Sequence, residues 1–519
     1  MNFLRQLVRF VFVTLGGLAL VVMSVSAVRG AIVPVAGQAP DDNTSPATER
    51  SNLLFSTYLG RDAWDRGSGV ALAPNGDLIV GGYTQSNSWP TTTLALDSAQ
   101  NRTQKHGQDV FLTRLTAEAT DITTSFWFNA LDGSATDDIT AVGTDAEGAM
   151  YATGTTRSSD FCTLLGDDVP GYDTTYNGDS DAFALKISTE GTAVYCTFLG
   201  GSDLDTGRAL AVAPDGSLIV VGSSWSVDFP VTTGAADPSH NGTRDLFALR
   251  LAADGTAVDY ATLWGGSNQE EAQGVALTAD GQALLVGWTS SADFATTPNA
   301  IQSALGGSFD GFLLLLSANG DTAETASFWG GAGEDRLTAV GIAPDQTLFL
   351  AGKSAPDTPL PAFDGSLTRL DQSATRVLAT YLLGGTADDE ISALALDPRG
   401  EGRVWVTGRT NSLDFPTSDG SAVQDSTDQD AFLAGFSLAL GNPVISEIWG
   451  GTDWEHGLAL AVRPDGAVVF TGETRSEDFP TTAGVIQPIR DSTYDVFITA
   501  VEPHWPSEQN TLYLPLVRK

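Results

Sequence analysis

Carboxylates are the side chains in this sequence best placed to do chemistry. One acid recurs at Asp65, Asp137, Asp205, Glu270, Asp335, Asp389 and Glu455, each eleven residues before the last residue of a recurring turn. A second series opens an Asp-x-Phe pattern at Asp109, Asp181, Asp245, Asp310, Asp430 and Asp495. Regularly placed carboxylates can hold a divalent cation, work as an acid–base pair on a glycosidic bond, or accept backbone N–H groups and fix a turn. Asp137, Asp205, Asp335 and Asp389 are the candidate ligands for a metal such as Ca2+. Calcium needs roughly six to eight oxygens. Asp132, Asp138 and the Asn177-Gly178-Asp179-Ser180-Asp181 stretch could supply some, but no segment has the spacing of a known calcium loop. An acid present in every copy of a repeat is better explained by turn fixing, so the structural role is the favoured reading. No organic cofactor is expected.

Other chemistry is sparse. His106, His240, His456 and His504 are scattered without metal-ligand spacing, and each reads as a loop or surface residue. The sequence has no H-E-x-x-H, no nucleophile elbow, no phosphate-binding loop and no cysteine pair for zinc. With 64 acids, pairs at glycosidase spacing arise by accident, so none is informative. Arg208, Arg336 and His456 follow the first acid series within three residues and could form ion pairs beside it. The expectation is a protein that is not an enzyme.

These residues are positioned by a repeat. The turn marker falls at Gly76, Gly148, Gly216, Gly281, Gln346, Gly400 and Gly466, giving seven copies of about 65 residues. Each copy holds four short apolar stretches bounded by Gly, Pro, Asp and Ser, such as 209–213, 217–223, 245–251 and 258–264 in the third. Strands of this length in sets of four predict an all-β fold, a seven-bladed β-propeller with four-stranded blades. Inner strands must converge on an axis and need small residues, which Gly69-Val70-Ala71-Leu72 and Ala459-Leu460-Ala461-Val462 supply. Trp264, Trp329 and Trp449 share one repeat position with Leu59, Leu199 and Leu383 and read as core between blades. Residues 54–59 form an outer-strand sequence with no blade before them, and the seventh copy ends at its third strand. The N-terminal strand 54–59 is therefore expected to pair with the last blade and close the ring, removing a free edge.

The sequences Phe-Ser-Thr-Tyr-Leu-Gly at 55–60, Cys-Thr-Phe-Leu-Gly-Gly at 196–201 and Thr-Gly-Glu-Thr-Arg-Ser-Glu-Asp-Phe-Pro-Thr-Thr at 471–482, with Asp-Ala-Phe at 181–183 and 430–432, resemble the bacterial β-propeller repeat known as SBBP. The resemblance implies a propeller in an exported or surface protein, usually without an assigned activity. The fifth copy departs from it: Pro359-Leu360-Pro361 stands where others have Asp-Phe-Pro, which leaves the regularity of the fifth blade open.

The ends set the compartment. Arg5 and Arg9, an apolar run over 10–25 and Ser26-Ala27 have the layout of a secretory signal over residues 1–27, with a retained anchor as the alternative. Residues 28–52 read as a disordered polar linker, 53–503 as the propeller and 504–519 as a C-terminal tail that either packs on the ring or attaches the protein elsewhere. Cys162 and Cys196 are too few for a disulfide scaffold. Export favours a bridge between them; their places, after the second strand and within the fourth of blade two, oppose it unless the intervening loop returns. The net charge of −38 argues against nucleic acid and against anionic membranes beyond the signal or anchor segment, and favours cationic partners or ions.

These features point to a secreted or cell-surface propeller, a monomer, acting as a binding or scaffold module. Its extracellular ligand, a glycan or a protein, would sit on the face bearing the acids and the loops at 85–108, 157–180 and 226–244, with possible divalent-cation dependence. The alternative is a polysaccharide-acting lyase or hydrolase using acids at the channel mouth. A deep axial pocket with converging Asp, Arg and aromatic side chains would favour the enzyme; a plugged or smooth channel would favour the binder.

Overall fold

A computed structural model describes residues 50–92, 107–128, 136–355, 362–423 and 428–505. The signal segment 1–27, linker residues 28–49 and tail residues 506–519 lie outside the described residues. The described residues hold almost no helix, and their strands are arranged as seven separate four-stranded antiparallel sheets. Six sheets are consecutive in sequence; the seventh has the order 52–59, 495–502, 468–474, 455–462. The fifth copy forms a regular sheet of Asp335–Ile342, Leu348–Ser354, Asp364–Leu370 and Val377–Leu383, so its shortened loop does not disturb the blade.

The remaining inner strands are Asp65–Leu72, Asp138–Thr144, Asp205–Val212, Glu270–Leu277, Asp389–Leu396 and Glu455–Val462, in blades one, two, three, four, six and seven. Each inner strand turns into the next at the recurring marker, where the backbone is left-handed: Gly76 has φ 90° and Gly216 has φ 83°. Glycine meets that demand without strain. Gln346 adopts the same conformation with φ 64°, which explains why one copy retains the turn without the glycine.

The core lies between blades. Seven apolar clusters correspond to the seven junctions, including one that joins blade seven to blade one through Phe55, Leu59, Val70, Val80, Val469 and Ile498. Trp329 and Trp449 are buried within such clusters and Trp264 packs against a third, as expected for inter-blade core.

Closure follows the expected scheme. Asn52–Leu59 runs antiparallel to Asp495–Glu502, with Ser56 opposite Thr499 and Leu59 opposite Val496. The Ser56 and Thr499 hydroxyls lie 2.8 Å apart, and the Tyr58 hydroxyl donates to the Ser476 carbonyl at 2.9 Å. The ring begins earlier than the expected boundary at 53: Asn52 already pairs, the Ser51 N–H donates to Glu447, and the Arg50 guanidinium stacks 4.5 Å from the Trp449 ring centre. At the other end, Trp505 packs edge-on against Trp405 and lies under the Arg403 guanidinium, so the tail's first residues join the ring.

The loop geometry explains the two cysteines. After the second strand of blade two the chain forms a 3-10 turn at Cys162–Leu165, then runs along the outside of the fourth strand, where Cys196 N–H donates to Pro170 and Phe198 N–H donates to Asp173. That return brings Cys162 to Cys196 as a disulfide with Cα atoms 5.4 Å apart. Equivalent loops strap the outer strands of blades three, four and seven, for example Leu263 N–H to Asp237 and Phe328 N–H to Gln302. They occupy backbone groups that an edge strand would otherwise present to another chain.

Candidate functional site

The two carboxylate series do lie on one face, but they meet in pairs inside the blade junctions. Asp205 accepts from the Gly201 N–H at 2.7 Å and the Ser226 hydroxyl at 2.7 Å, while Asp181 accepts from the Asn177 N–H at 2.9 Å. Gly200 runs between them: a methyl group there would sit 2.5 Å from Asp181 Oδ1 and 2.7 Å from Asp205 Oδ2. The same clamp recurs with Asp245 and Glu270 at Gly265, and with Asp65 and Asp495 at Gly60. At Gly60, Gly200, Gly265, Gly384 and Gly450 two carboxylates thus leave no room for a Cβ; the matching stretch between blades one and two lies outside the described residues.

These acids are buried, and burial raises their pKa. Asp65 is pushed to about 7, and Asp181, Asp205, Asp389 and Glu455 to about 6, chiefly by desolvation. The neighbouring carboxylate adds to the shift of Asp65, Asp181 and Asp389, and the hydroxyl and N–H donors oppose it.

The four candidate metal ligands fall in four different junctions and are not brought together. Asp137 is held by Thr156 and Ser158, Asp205 by Gly201 and Ser226, Asp335 by Gly331 and Ser354, and Asp389 by Gly385 and Ser412. All four are buried. Among the described residues no group of three or more His, Cys, Asp or Glu side chains is placed to hold a metal ion. Asp132 lies outside the described residues.

A different set of side chains gathers at the axis. The residue after the junction acid, or the bulged residue two places later, carries charge in six inner strands and histidine in the seventh. Around the ring the order is Arg66, Asp138, Arg208, Glu271, Arg336, Glu390 and His456. The signs alternate. An odd number of blades cannot complete an alternation, and the mismatch falls on His456, between Glu390 and Arg66.

A β-bulge near the start of every inner strand aims this layer. The register slips between Gly67 and Gly69, between Gly207 and Ala209, and at the matching place in the other five blades. Bulges re-aim side chains. Here the bulged residues reach the next blade: Thr140 donates to the Gly207 carbonyl at 2.9 Å, Thr338 donates to the Ile391 carbonyl at 2.7 Å, and Arg208 lies 2.8 Å from Glu271.

His456 is not the loop or surface residue expected from sequence. It sits on the inner strand of blade seven, 2.8 Å from the Ser392 hydroxyl. Desolvation, with Arg409, Arg66 and Lys353 nearby, holds the imidazole well below the usual histidine pKa, so it is neutral. Asp138 is the opposite case. Burial lifts it to about 6 although Arg66 and Arg208 pull it down.

Two aromatic arcs frame the charges. On one side Arg244 lies 4.7 Å from the Trp225 ring and 4.6 Å from Trp288, while Arg336 lies 4.8 Å from Trp288 and 5.1 Å from Phe309. This places guanidinium and aromatic planes in alternation. On the other side Trp64 packs on Tyr83 and Tyr494 and donates its indole N–H to Glu473 at 2.9 Å. Arg208, Arg336 and His456 were legible in the sequence as neighbours of the junction acids; Arg66, Glu271 and Glu390 were not. The missed signal was the alternation of sign at one repeat position. The loops at 157–180 and 226–244, expected to carry the ligand, run along the outer strands in their middle portions and return to the junction acids at Asn177 and Asn241. Residues 93–106 lie outside the described residues.

No family model matches the chain. A curated relative, the regulatory protein FlaEY of Caulobacter vibrioides, is 25% identical over 334 residues, covering 59% of this chain and 34% of its own length. The chain thus spans about a third of that relative. Among solved structures, a protein of unknown function from Dyadobacter fermentans aligns over 88% of this chain and all of its own at 10% identity, with TM-score 0.40. Sqt1 of Chaetomium thermophilum aligns over 89% of this chain at 11% identity with TM-score 0.42, and a europium-containing methanol dehydrogenase over 82% at 9% with TM-score 0.37.

Proposed function

We infer that the chain is a secreted or cell-surface propeller of the SBBP repeat type, working without catalysis as a binding or scaffold module whose ligand seats at the axial mouth on the junction-acid face. The observation that carries this reading is the gathering of charged and aromatic side chains from all seven blades at that mouth, while the first series of junction acids around it is buried. A layer that differs from blade to blade on an otherwise repeating frame is where a scaffold acquires specificity. The signal-like N-terminus and the Cys162–Cys196 disulfide support an oxidising compartment. The similarity to a regulatory protein is compatible with a binding role. A glycan and protein binding screen of the full chain, repeated with Glu271→Gln and Glu390→Gln, tests the reading. Ligands whose affinity drops in those variants support it; ligands indifferent to them place the site elsewhere.

One observation favours a second reading. Asp138 and Glu473, both with raised pKa, lie with Arg66 and aromatic rings at the axis, the convergence set out above for a polysaccharide-acting enzyme. Release of reducing ends from acidic polysaccharides, abolished by Asp138→Asn, would support it. Absence of release across a polysaccharide panel would remove it.

A further inference from the structure

The charge balance at the axial mouth is the reverse of the charge balance of the protein. The whole chain holds 26 basic and 64 acidic residues. At the mouth, six cations (Arg66, Arg208, Arg244, Arg336, Lys353 and Arg409) face five carboxylates (Asp138, Glu271, Glu334, Glu390 and Glu473). Nearly a quarter of all the basic side chains converge on one opening of an acidic molecule.

The carboxylates there are already engaged. Glu271 takes Arg208 at 2.8 Å and Arg244 at 2.7 Å; Glu390 takes Arg409 at 2.9 Å and Lys353 at 3.6 Å. Glu473 accepts from the Trp64 indole. The guanidiniums are not used up. Arg66 meets its nearest acid, Glu473, only at 3.8 Å, and Arg336 pairs only with the half-buried Glu334 among the described residues. The Nε atoms of Arg66, Arg244 and Arg336 are buried without a hydrogen bond among the described residues. Side-chain exposures of 34% for Arg66, 35% for Arg208 and 32% for Arg336 leave their outer N–H groups open to solvent at the mouth.

Their orientation is also fixed in advance. Trp288 lies between Arg336, which also meets Phe309, and the buried Arg244, which is paired with Glu271; this holds the Arg336 guanidinium plane and leaves its donor edge as the free surface. A stacked guanidinium loses little rotamer freedom on binding and presents a fork that fits a carboxylate or sulfate. A cation would find no comparable vacancy, since each carboxylate is either paired or, like Asp138, destabilised as an anion by burial.

We propose that the axial mouth is a recognition site for a small oxyanion-bearing ligand, held between the guanidiniums of Arg66, Arg208 and Arg336. This rests on the binding-module reading and narrows it to anionic ligands, against what the net charge of the chain suggests. Long-range repulsion from the acidic surface limits the on-rate at low salt. Selectivity therefore comes from short-range forked hydrogen bonds.

The test is titration calorimetry of the full chain with citrate and trigalacturonate as carboxylate probes, inorganic sulfate as the other oxyanion, and uncharged maltotriose. Tryptophan fluorescence is followed in parallel, because Trp288 lies between two of the cations. Binding of either oxyanion is expected, weakened roughly tenfold or more by Arg208→Gln, as for loss of a charged hydrogen bond. Whether carboxylate or sulfate binds tighter identifies the ligand class. Glu334→Gln, a half-buried position whose loss frees Arg336, should tighten binding by about threefold, the scale of one partly exposed ion pair. That gain cannot come from misfolding. No oxyanion binding, or binding unchanged in both variants, overturns the proposal. Maltotriose binding alone would overturn it while leaving the binding-module reading intact.

Discussion

Buried, paired carboxylates make the stability of this propeller depend on pH in an uncommon direction. Ten junction acids have raised pKa values: Asp65, Asp181, Asp205, Asp245, Glu270, Asp310, Asp364, Asp389, Glu455 and Asp495. Such a group keeps its proton in the folded state to a higher pH than in the unfolded chain. Between the two pKa values the folded state therefore binds more protons, and stability falls as pH rises. An aspartate held at about 6 rather than near 4 contributes roughly 1 to 2 kcal/mol between about pH 5 and pH 7.5. Asp181, Asp205 and Asp389 together reach several kcal/mol. His456 works the other way, since its folded pKa is depressed and acid favours its unfolded, protonated form. It is one group against ten. Surface aspartates with depressed pKa, such as Asp215 and Asp228, lose their contribution only at lower pH, below this window. The melting temperature should thus be higher near pH 5 than near pH 7.5, by about 5 °C or more for a chain of this size. Asp181→Asn combined with Asp205→Asn should flatten that response by the share of one junction. A melting temperature that rises from pH 5 to pH 7.5, or an unchanged pH response in the double variant, would refute the reasoning.

Four further outcomes are open to measurement. Gly200→Ala drives a methyl group into Asp181 and Asp205 and should cost about 2 kcal/mol or more, read as a lower melting temperature, whereas Gly441→Ala, with open space around it and no left-handed backbone, should cost less. Cys162→Ser should destabilise by about 2 to 4 kcal/mol, and reductant should lower the melt of the wild-type chain but not of the variant. Removing residues 50–59 uncovers the edge of the strand Asp495–Glu502 and should shift the protein to aggregates in size-exclusion chromatography. A chelator should leave the thermal melt unchanged, because the junction acids are held by N–H and O–H donors; a lower melt would restore the calcium reading of Asp137, Asp205, Asp335 and Asp389.

The fold was legible because it is written seven times. An acid eleven residues before a left-handed turn fixes both ends of the inner strand, and small residues between them fix which strand lies innermost. Closure was legible from arithmetic alone, since an unpartnered outer strand at one end of the chain matches a missing one at the other. The disulfide was not, because the path of the loop at 166–173 along the outer strand depends on backbone hydrogen bonds that no residue type announces. The expected linker boundary also failed by a few residues, as Arg50 owes its place to stacking on Trp449, a contact far away in sequence.

The axial layer was hidden for a related reason. In a repeat the positions that stay the same stand out, and the junction acids do so for that reason. Those positions are occupied by fold maintenance: the first-series acids are buried and held by N–H or O–H donors, and most press on a glycine. The neighbouring position varies as Arg66, Asp138, Glu271, Arg336, Glu390 and His456, with Arg208 standing in for Thr206. Read down one copy, it looks like noise. Read around the ring, the signs alternate until the seventh position. There a charged residue of either sign would face a like neighbour, and the site holds a neutral imidazole bonded to Ser392. Replacing His456 with arginine would set it against Arg66 and Arg409, and with glutamate against Glu390 and Glu473. The parity of the blade count thus restricts the chemistry of one residue at the mouth, a constraint visible only once the number of blades and the closure of the ring are known.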